Sequence, residues 1–109
     1  MIARIWHGWT TTDNADVYQR IVSTEVLPEI AARQIVGYRG AHLLRRSLAD
    51  EVEFITIMWF DSIDAVRDFM GDDYEVAHVP PQARAVLAEF DERSQHYEVL
   101  LEPEVELAG

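Results

Sequence analysis

The alternation of apolar and polar positions is clearest in residues 51–70, where two periodicities follow one another. Residues 51–60 alternate at a period of two, with Val52, Phe54, Thr56, Met58 and Phe60 on one side and Ile55, Ile57 and Trp59 on the other. Because both sides are largely apolar, both are expected to be covered. The period then becomes helical, with Asp61 or Ser62 as the cap and Gly71 as the stop. This pattern predicts a central strand that leads into a helix packed on the sheet.

Residues 2–10 predict the first strand, because they are rich in residue types that favour strands. Ala3, Ile5, His7 and Trp9 share one side, and Arg4, Trp6 and Gly8 share the other. A helix follows, on which Val17, Tyr18, Ile21, Val22 and Val26 form an apolar stripe. Pro28 is expected to kink or end this helix, since proline removes a backbone donor and crowds the preceding turn.

Residues 38–48 predict a second strand, joined to the central strand by a tight turn. A turn centred on Ala49 would place Arg45 opposite Glu53. Opposite charges at facing positions stabilise neighbouring strands. The pattern therefore predicts a hairpin.

Two further elements complete the predicted order. Pro80 and Pro81 start another helix, since proline is tolerated in a first turn. Its apolar face is Ala83, Val86, Leu87 and Phe90. Residues 94–102 predict the last strand. Residues 1–102 thus form a single predicted domain, and residues 103–109 an acidic C-terminal tail.

The order β-α-β-β-α-(α)-β is typical of the split βαβ arrangement of ferredoxin-like α+β domains with an antiparallel sheet. The helices of such a domain cover one face of the sheet. Because the central strand is apolar on both sides, the second face is expected to meet another copy of the same sheet. The sequence therefore predicts a face-to-face homodimer.

Composition narrows the class of protein. The chain has 109 residues, which is enough for one domain, and a net charge of −11, which disfavours nucleic acid and anionic membranes as partners. It has no cysteine, so disulfide and thiolate chemistry are excluded. No apolar run approaches the length of a membrane span, and the first ten residues do not resemble a signal peptide. A cytoplasmic location is expected.

The chain resembles the antibiotic biosynthesis monooxygenase family over about residues 1–102. The resemblance rests on three stretches: ARIWHGWT, GYRGAHLLRR and EFITIMWFDSIDAVRDF. It implies a dimeric α+β barrel built from paired ferredoxin-like sheets. Some members of this family oxygenate aromatic polyketides or quinols without metal or flavin, some degrade haem, and many have no known activity.

The haem-degrading branch of that family uses an Asn on the first strand, a Trp on the helix after strand three, and a His further along. In this chain His7 takes the Asn position and Phe69 the Trp position, while His78 fits the His. Two of the three positions depart from the pattern. The resemblance thus argues against haem degradation and leaves haem binding through His78 as an alternative.

Histidine is the side chain best suited to acid–base chemistry near neutral pH. We expect His7 and His78 to be the catalytic residues, and Trp9, Phe69 and Tyr74 to bind the substrate. The resemblance turns the His7 face towards the helices, so His7 is expected to line a pocket between sheet and helices together with some of the other four residues. His96 is expected to lie on a strand beside the first and to partner His7, and His42 to lie in the sheet or at the dimer seam. No spacing typical of a metal site is present.

Three hypotheses for the function follow. The leading one is a cofactor-independent monooxygenase that binds an aromatic or quinone-type small molecule, with a histidine base in a dry aromatic pocket. The second is a non-catalytic ligand-binding or stress-response dimer of the same fold. The third is a haem-binding protein. Convergence of polar groups in one cavity would favour the first over the second.

Overall fold

The computed structural model describes residues 1–103, which form an antiparallel five-stranded sheet with helices on one face. The elements are β1 (Ile2–Thr11), α1 (Ala15–Ile21), a π-helical stretch (Val22–Val26), α2 (Leu27–Ala32), β2 (Tyr38–Ser47), β3 (Glu51–Phe60), α3 (Ile63–Met70), α4 (Pro81–Arg84), β4 (Glu89–Phe90) and β5 (Gln95–Glu98). The sheet order is β2-β3-β1, with β4 and β5 both paired to the far side of β1. This is the ferredoxin-like arrangement, and the predicted fold class is confirmed. Of the predicted acidic tail, all but Pro103 lies outside the described residues.

Burial along the strands shows which face of the sheet the helices cover. Apart from Ala3, the buried side chains are Arg4, Trp6 and Thr10 of β1 and Val52, Phe54, Met58 and Phe60 of β3. We call this side the helix-covered face. The open face carries Ile5, His7 and Trp9 of β1, His42, Leu44 and Arg46 of β2, Glu53, Ile55, Ile57 and Trp59 of β3, and Gln95 and Tyr97 of β5. The expectation that the His7 side of β1 faces the helices is therefore wrong.

The first helical segment runs from Ala15 to Ala32 without a break. In a regular α-helix the ring of Pro28 would crowd the carbonyl of Thr24, four residues earlier. The π-helical stretch Val22–Val26 contains this turn, and its wider winding relieves the conflict. The helix thus continues past Pro28, and its irregularity lies in the turn before it.

The β2–β3 hairpin is offset by one residue from the prediction. Arg46, and not Arg45, lies opposite Glu53, because residues 49–50 form a two-residue turn. A shift of one residue changes the face on which a side chain lies. Arg45 consequently lies on the helix-covered face, where it donates a hydrogen bond to Asp16 Oδ1 at 2.9 Å.

The predicted ends of α3 are confirmed. Ser62 caps its start, since the Oγ accepts a hydrogen bond from the Ala65 N–H at 3.2 Å. The helix ends at Gly71, whose φ of 91° is readily adopted only by glycine. The helix therefore occupies the segment that the change of period indicated.

The last predicted helix is much shorter than its apolar pattern suggested. α4 ends at Arg84, and Phe90 lies in β4 opposite Gly8 of β1. The Ala88 N–H already donates to the Trp9 carbonyl at 2.8 Å, so the chain joins the sheet edge soon after α4. The last strand, β5, is also shorter than the predicted 94–102.

Candidate functional site

A cavity of ≈ 50 Å³ lies between the helix-covered face and the helices, and we call it the helix-side cavity. Its apolar walls include Trp6, Val22, Val26, Ile30, Met58 and Ala83. Its polar side chains are Arg4, Tyr18, Thr56, His78 and Ser94. A mostly apolar cavity with a few convergent polar groups is typical of a small-molecule site.

Arg4 is the buried charge of this cavity, with 2% of its surface exposed. Its guanidinium donates hydrogen bonds to the carbonyl of Tyr74 and, at 2.8 Å, to the carbonyl of Val76. A third contact, of 3.0 Å, joins its Nη1 to Nε2 of His96. Burial lowers the pKa of Arg4 to about 10, against the opposing effect of Glu75, so the side chain is charged at neutral pH.

The imidazole of His78 supplies a neutral, unpaired nitrogen to the same cavity. Its Nε2 is buried and has no hydrogen-bond partner within residues 1–103. Burial lowers the pKa of His78 below its ordinary 6.5, and the positive charges of Arg33 and Arg4 lower it further, while Glu29 opposes them. His78 is therefore uncharged at neutral pH and can accept or donate a proton.

His96 is the neighbour of Arg4 and not of His7. It lies opposite Arg4 across β1 and β5, so the expected His7–His96 pair is wrong. Arginine only donates, so Nε2 of His96 accepts and its proton lies on Nδ1. That Nδ1 is buried without a partner in the described part of the chain, and burial, followed by the charge of Arg4, lowers the pKa of His96.

Phe69 and Tyr74 lie on the helix side, behind the polar groups and not in the cavity wall. The Phe69 ring meets the edge of His78 with centroids 5.2 Å apart, and the Arg4 guanidinium lies 5.7 Å from its centre. The Tyr74 ring meets His96 at 5.1 Å. The Phe69 ring thus packs against two groups that line the cavity, and the Tyr74 ring packs against His96, the neighbour of Arg4.

His7 and Trp9 lie on the open face, with their rings stacked 6.2 Å apart. The expectation that they share a pocket with His78 is wrong, because odd-numbered positions of β1 point away from the helices. Nδ1 of His7 lies 3.1 Å from Oε2 of Glu53, whose other oxygen accepts from Arg46 at 2.9 Å. These groups border a separate groove of ≈ 330 Å³ on the open face.

Arg4 is the functional residue that the sequence pattern did not single out. Its signal was its place in the middle of a strand, on the side shared with Trp6 and Gly8. Arginine is almost never fully buried unless it is paired, so an arginine on the same side as Trp6 can be buried only with partners from elsewhere in the chain. The side carrying Ile5 and Trp9 is more apolar, however, and on pattern alone it is the better candidate for the core.

Within residues 1–103, no group of three or more His, Asp or Glu side chains is arranged to hold a metal ion. Among the same residues, no helix has the length and apolar content needed to cross a bilayer. Among the described residues that line the cavity, Arg4 carries the positive charge and His78 is a neutral imidazole. These two side chains place a proton acceptor and a fixed positive charge in the wall of one cavity.

Comparison with known proteins supports the fold. No protein-family model matches the chain, and no curated protein is significantly similar to it. The chain does match the crystal structure of a Bacillus cereus protein described as a candidate antibiotic biosynthesis monooxygenase, with a TM-score of 0.65 and 10% sequence identity. The match covers 95% of this chain and 97% of that one. At this identity the likeness establishes the fold, and it confirms the fold-level resemblance inferred from the sequence.

Proposed function

We propose that the protein is a cytoplasmic homodimer that binds an aromatic or quinone-type small molecule in the helix-side cavity and oxygenates it without a cofactor. The observation that carries this proposal is the unpaired Nε2 of neutral His78 in a largely apolar cavity beside charged Arg4. A neutral imidazole can remove a proton from an acidic substrate, and a nearby cation favours the anion that forms. The likeness to the Bacillus cereus protein supports the same class of function.

The reaction needs only the substrate and dioxygen. With an anthrone, His78 would take one hydrogen of the reactive CH₂ group as a proton, leaving an electron-rich carbanion that reacts with dioxygen. One oxygen atom becomes the new ring carbonyl, and the other leaves as water with the two hydrogens of the CH₂ group. The substrate is itself the reductant, so the electrons balance with no external donor.

The size of the cavity requires one wall to move. A volume of ≈ 50 Å³ holds a few water molecules, whereas sites for drug-sized ligands span roughly 300 Å³ or more. The connector between Gly71 and Pro80 forms part of the wall and is attached to the sheet through Arg4. We propose that a ligand enters by displacing this connector.

Oxygen consumption with anthrones and hydroquinones as substrates tests the proposal. We expect His78→Gln to lower turnover at least tenfold, or about 1.4 kcal/mol of barrier, because glutamine cannot act as the base. His7→Gln is the matched control, and it should retain turnover because His7 lies on the open face. A larger loss of turnover in His7→Gln than in His78→Gln would indicate that the reaction takes place in the open-face groove. Saturable binding without oxygen uptake would favour the non-catalytic alternative.

The homodimer is proposed to form through the open face. Its apolar members are Ile5, Trp9, Leu44, Ile55, Ile57, Trp59 and Tyr97. Four of its polar side chains are paired within the chain, since Trp59 donates to Nδ1 of His42 at 2.9 Å and Glu53 bonds both His7 and Arg46. A face with apolar side chains and internally paired polar groups can be buried against a second copy at low desolvation cost.

A further inference from the structure

We propose, on the basis of the function proposed above, that the helix-side cavity takes its aromatic ligand as an anion, a phenolate or enolate, with Arg4 as the countercharge. Arg4 is 2% exposed, and no carboxylate within residues 1–103 forms an ion pair with it. Its hydrogen-bond partners are two backbone carbonyls and one neutral imidazole. Burial of a cation without a counter-ion is unfavourable, and an anionic ligand would offset this cost.

The guanidinium of Arg4 also has N–H groups that donate to no described residue. Arginine carries five N–H groups, and its hydrogen bonds to Tyr74, Val76 and His96 use three of them. Two N–H groups are thus left without a partner among the described residues. An oxyanion beside Arg4 would accept from these donors and, once Nε2 of His78 has taken the proton of the ligand, from that N–H as well, which gives the bound oxygen charge-assisted hydrogen bonds.

The other ionisable groups near the cavity do not cancel this charge. Glu75 and Glu29 are exposed side chains that bond Arg93 at 3.3 Å and Arg33 at 2.9 Å. Burial raises the pKa of Tyr18, so its hydroxyl stays neutral. His78 and His96 are also neutral, as argued above. The electrostatic potential inside the cavity is therefore determined mainly by the positive charge of Arg4.

A purely structural role for Arg4, as the tether of the connector, makes a different prediction. A tether would matter for folding and for closure of the cavity, but it would not change the ionisation state of a bound ligand. The ionisation state of a bound phenol is therefore the deciding observable. We choose 4-nitrophenol as the probe, because its anion is yellow and its neutral form is not.

The experiment titrates the full-length protein with 4-nitrophenol across a range of pH and follows the absorbance of the anion. The bound phenol is expected to ionise at a pH at least one unit below that of the free phenol, and 4-nitroanisole, its methyl ether, should bind at least tenfold more weakly. Arg4→Gln should abolish the shift, and Arg4→Lys should retain part of it. Arg46→Gln, which removes an arginine from the open face, is the control and should leave the shift unchanged.

The outcomes separate the two proposals. Equal binding of 4-nitroanisole and 4-nitrophenol, or a bound phenol that stays neutral, would overturn the anion inference while leaving an aromatic site in place. A shift that persists in folded Arg4→Gln would also overturn it, since the charge would then come from elsewhere. Failure of both probes to bind would contradict the proposed function as well. If the Arg4 variants do not fold, the comparison of the two probes on the unaltered protein decides the question alone.

Discussion

His7 and His78 lie on opposite sides of the same sheet. His7 occupies an odd position of β1 and lies on the open face beside Trp9, whereas His78 lies on the connector and borders the helix-side cavity. Trp6, the neighbour of His7 in the chain, lines that cavity. Only one of the two histidines can therefore reach a ligand held between sheet and helices, and that histidine is His78.

The lowered pKa values of His78 and His96 predict that the protein loses stability in mild acid. In the unfolded chain both histidines return to an ordinary pKa of 6.5, so below that pH the unfolded state binds protons that the folded state resists. The free energy of unfolding should fall as the pH drops from about 7.5 to about 5.5. Urea denaturation at the two pH values measures this fall.

The double variant His78→Gln, His96→Gln tests the cause of that fall. The decrease in stability should be much smaller in this variant and unchanged in His42→Gln, which alters a histidine of the open face. The lowered pKa of Glu53 acts below its ordinary 4.5 and so lies outside this pH window. An equal decrease in the double variant would show that other groups take up the protons.

If the dimer forms through the open face, a charge introduced on that face should disrupt it, and a charge introduced elsewhere should not. Ile57 lies on the open face opposite both Ile5 and His42, near the middle of the sheet. Ile57→Asp should convert the dimer into a monomer in sedimentation experiments, because the carboxylate would be buried without a partner. Val36→Asp is the matched control, since Val36 is exposed outside the sheet and its variant should remain dimeric. A monomer in the unaltered protein would contradict the proposed interface.

Position 8 requires glycine because the indole ring of Trp6 lies close to its backbone. A Cβ at this position would lie 2.9 Å from Cζ3 of Trp6 and nearer still to Cη2. Trp6 cannot easily give way, because its indole N–H donates to the Asp91 carbonyl at 2.7 Å. Gly8→Ala is expected to cost about 1–3 kcal/mol of stability and to weaken ligand binding in the cavity that Trp6 lines.

Denaturation and ligand titration of the variant check both effects of Gly8→Ala. Ser62→Ala is a useful comparison, since loss of the α3 cap should cost about 1 kcal/mol without altering the cavity. Equal ligand affinity in the two variants would show that the position of Trp6 does not determine the shape of the site.

The sequence predicted the order of elements because the changes of period are strong, as in β3 and α3. It could not decide the face of β1, since Ile5 and Trp9 on one side and Trp6 on the other are all apolar. The register of the β2–β3 hairpin depends on the length of its turn. A difference of one residue from the predicted turn makes Arg46, instead of Arg45, the partner of Glu53. Phe90 fits a helical period but pairs with Gly8, because pairing at the sheet edge outweighs local periodicity.

The candidate site, too, could be predicted from the sequence only in part. His78 was predictable as a histidine on a connector between a helix and two prolines. The importance of Arg4 depends on the carbonyls of Tyr74 and Val76, which come from a segment far along the chain. Contacts of this kind leave no periodic signal in the sequence, so only the folded structure reveals them.

The four histidines provide the most direct test of the proposed binding site, because they divide evenly between the two faces. His78 and His96 lie on the helix side, and His7 and His42 lie on the open face. Proton–nitrogen NMR spectra of the imidazoles, recorded while 1-naphthol is added, would show which face the ligand occupies. We expect saturable shifts of the His78 and His96 signals, with those of His7 and His42 unchanged. Shifts confined to His7 and His42 would contradict this expectation.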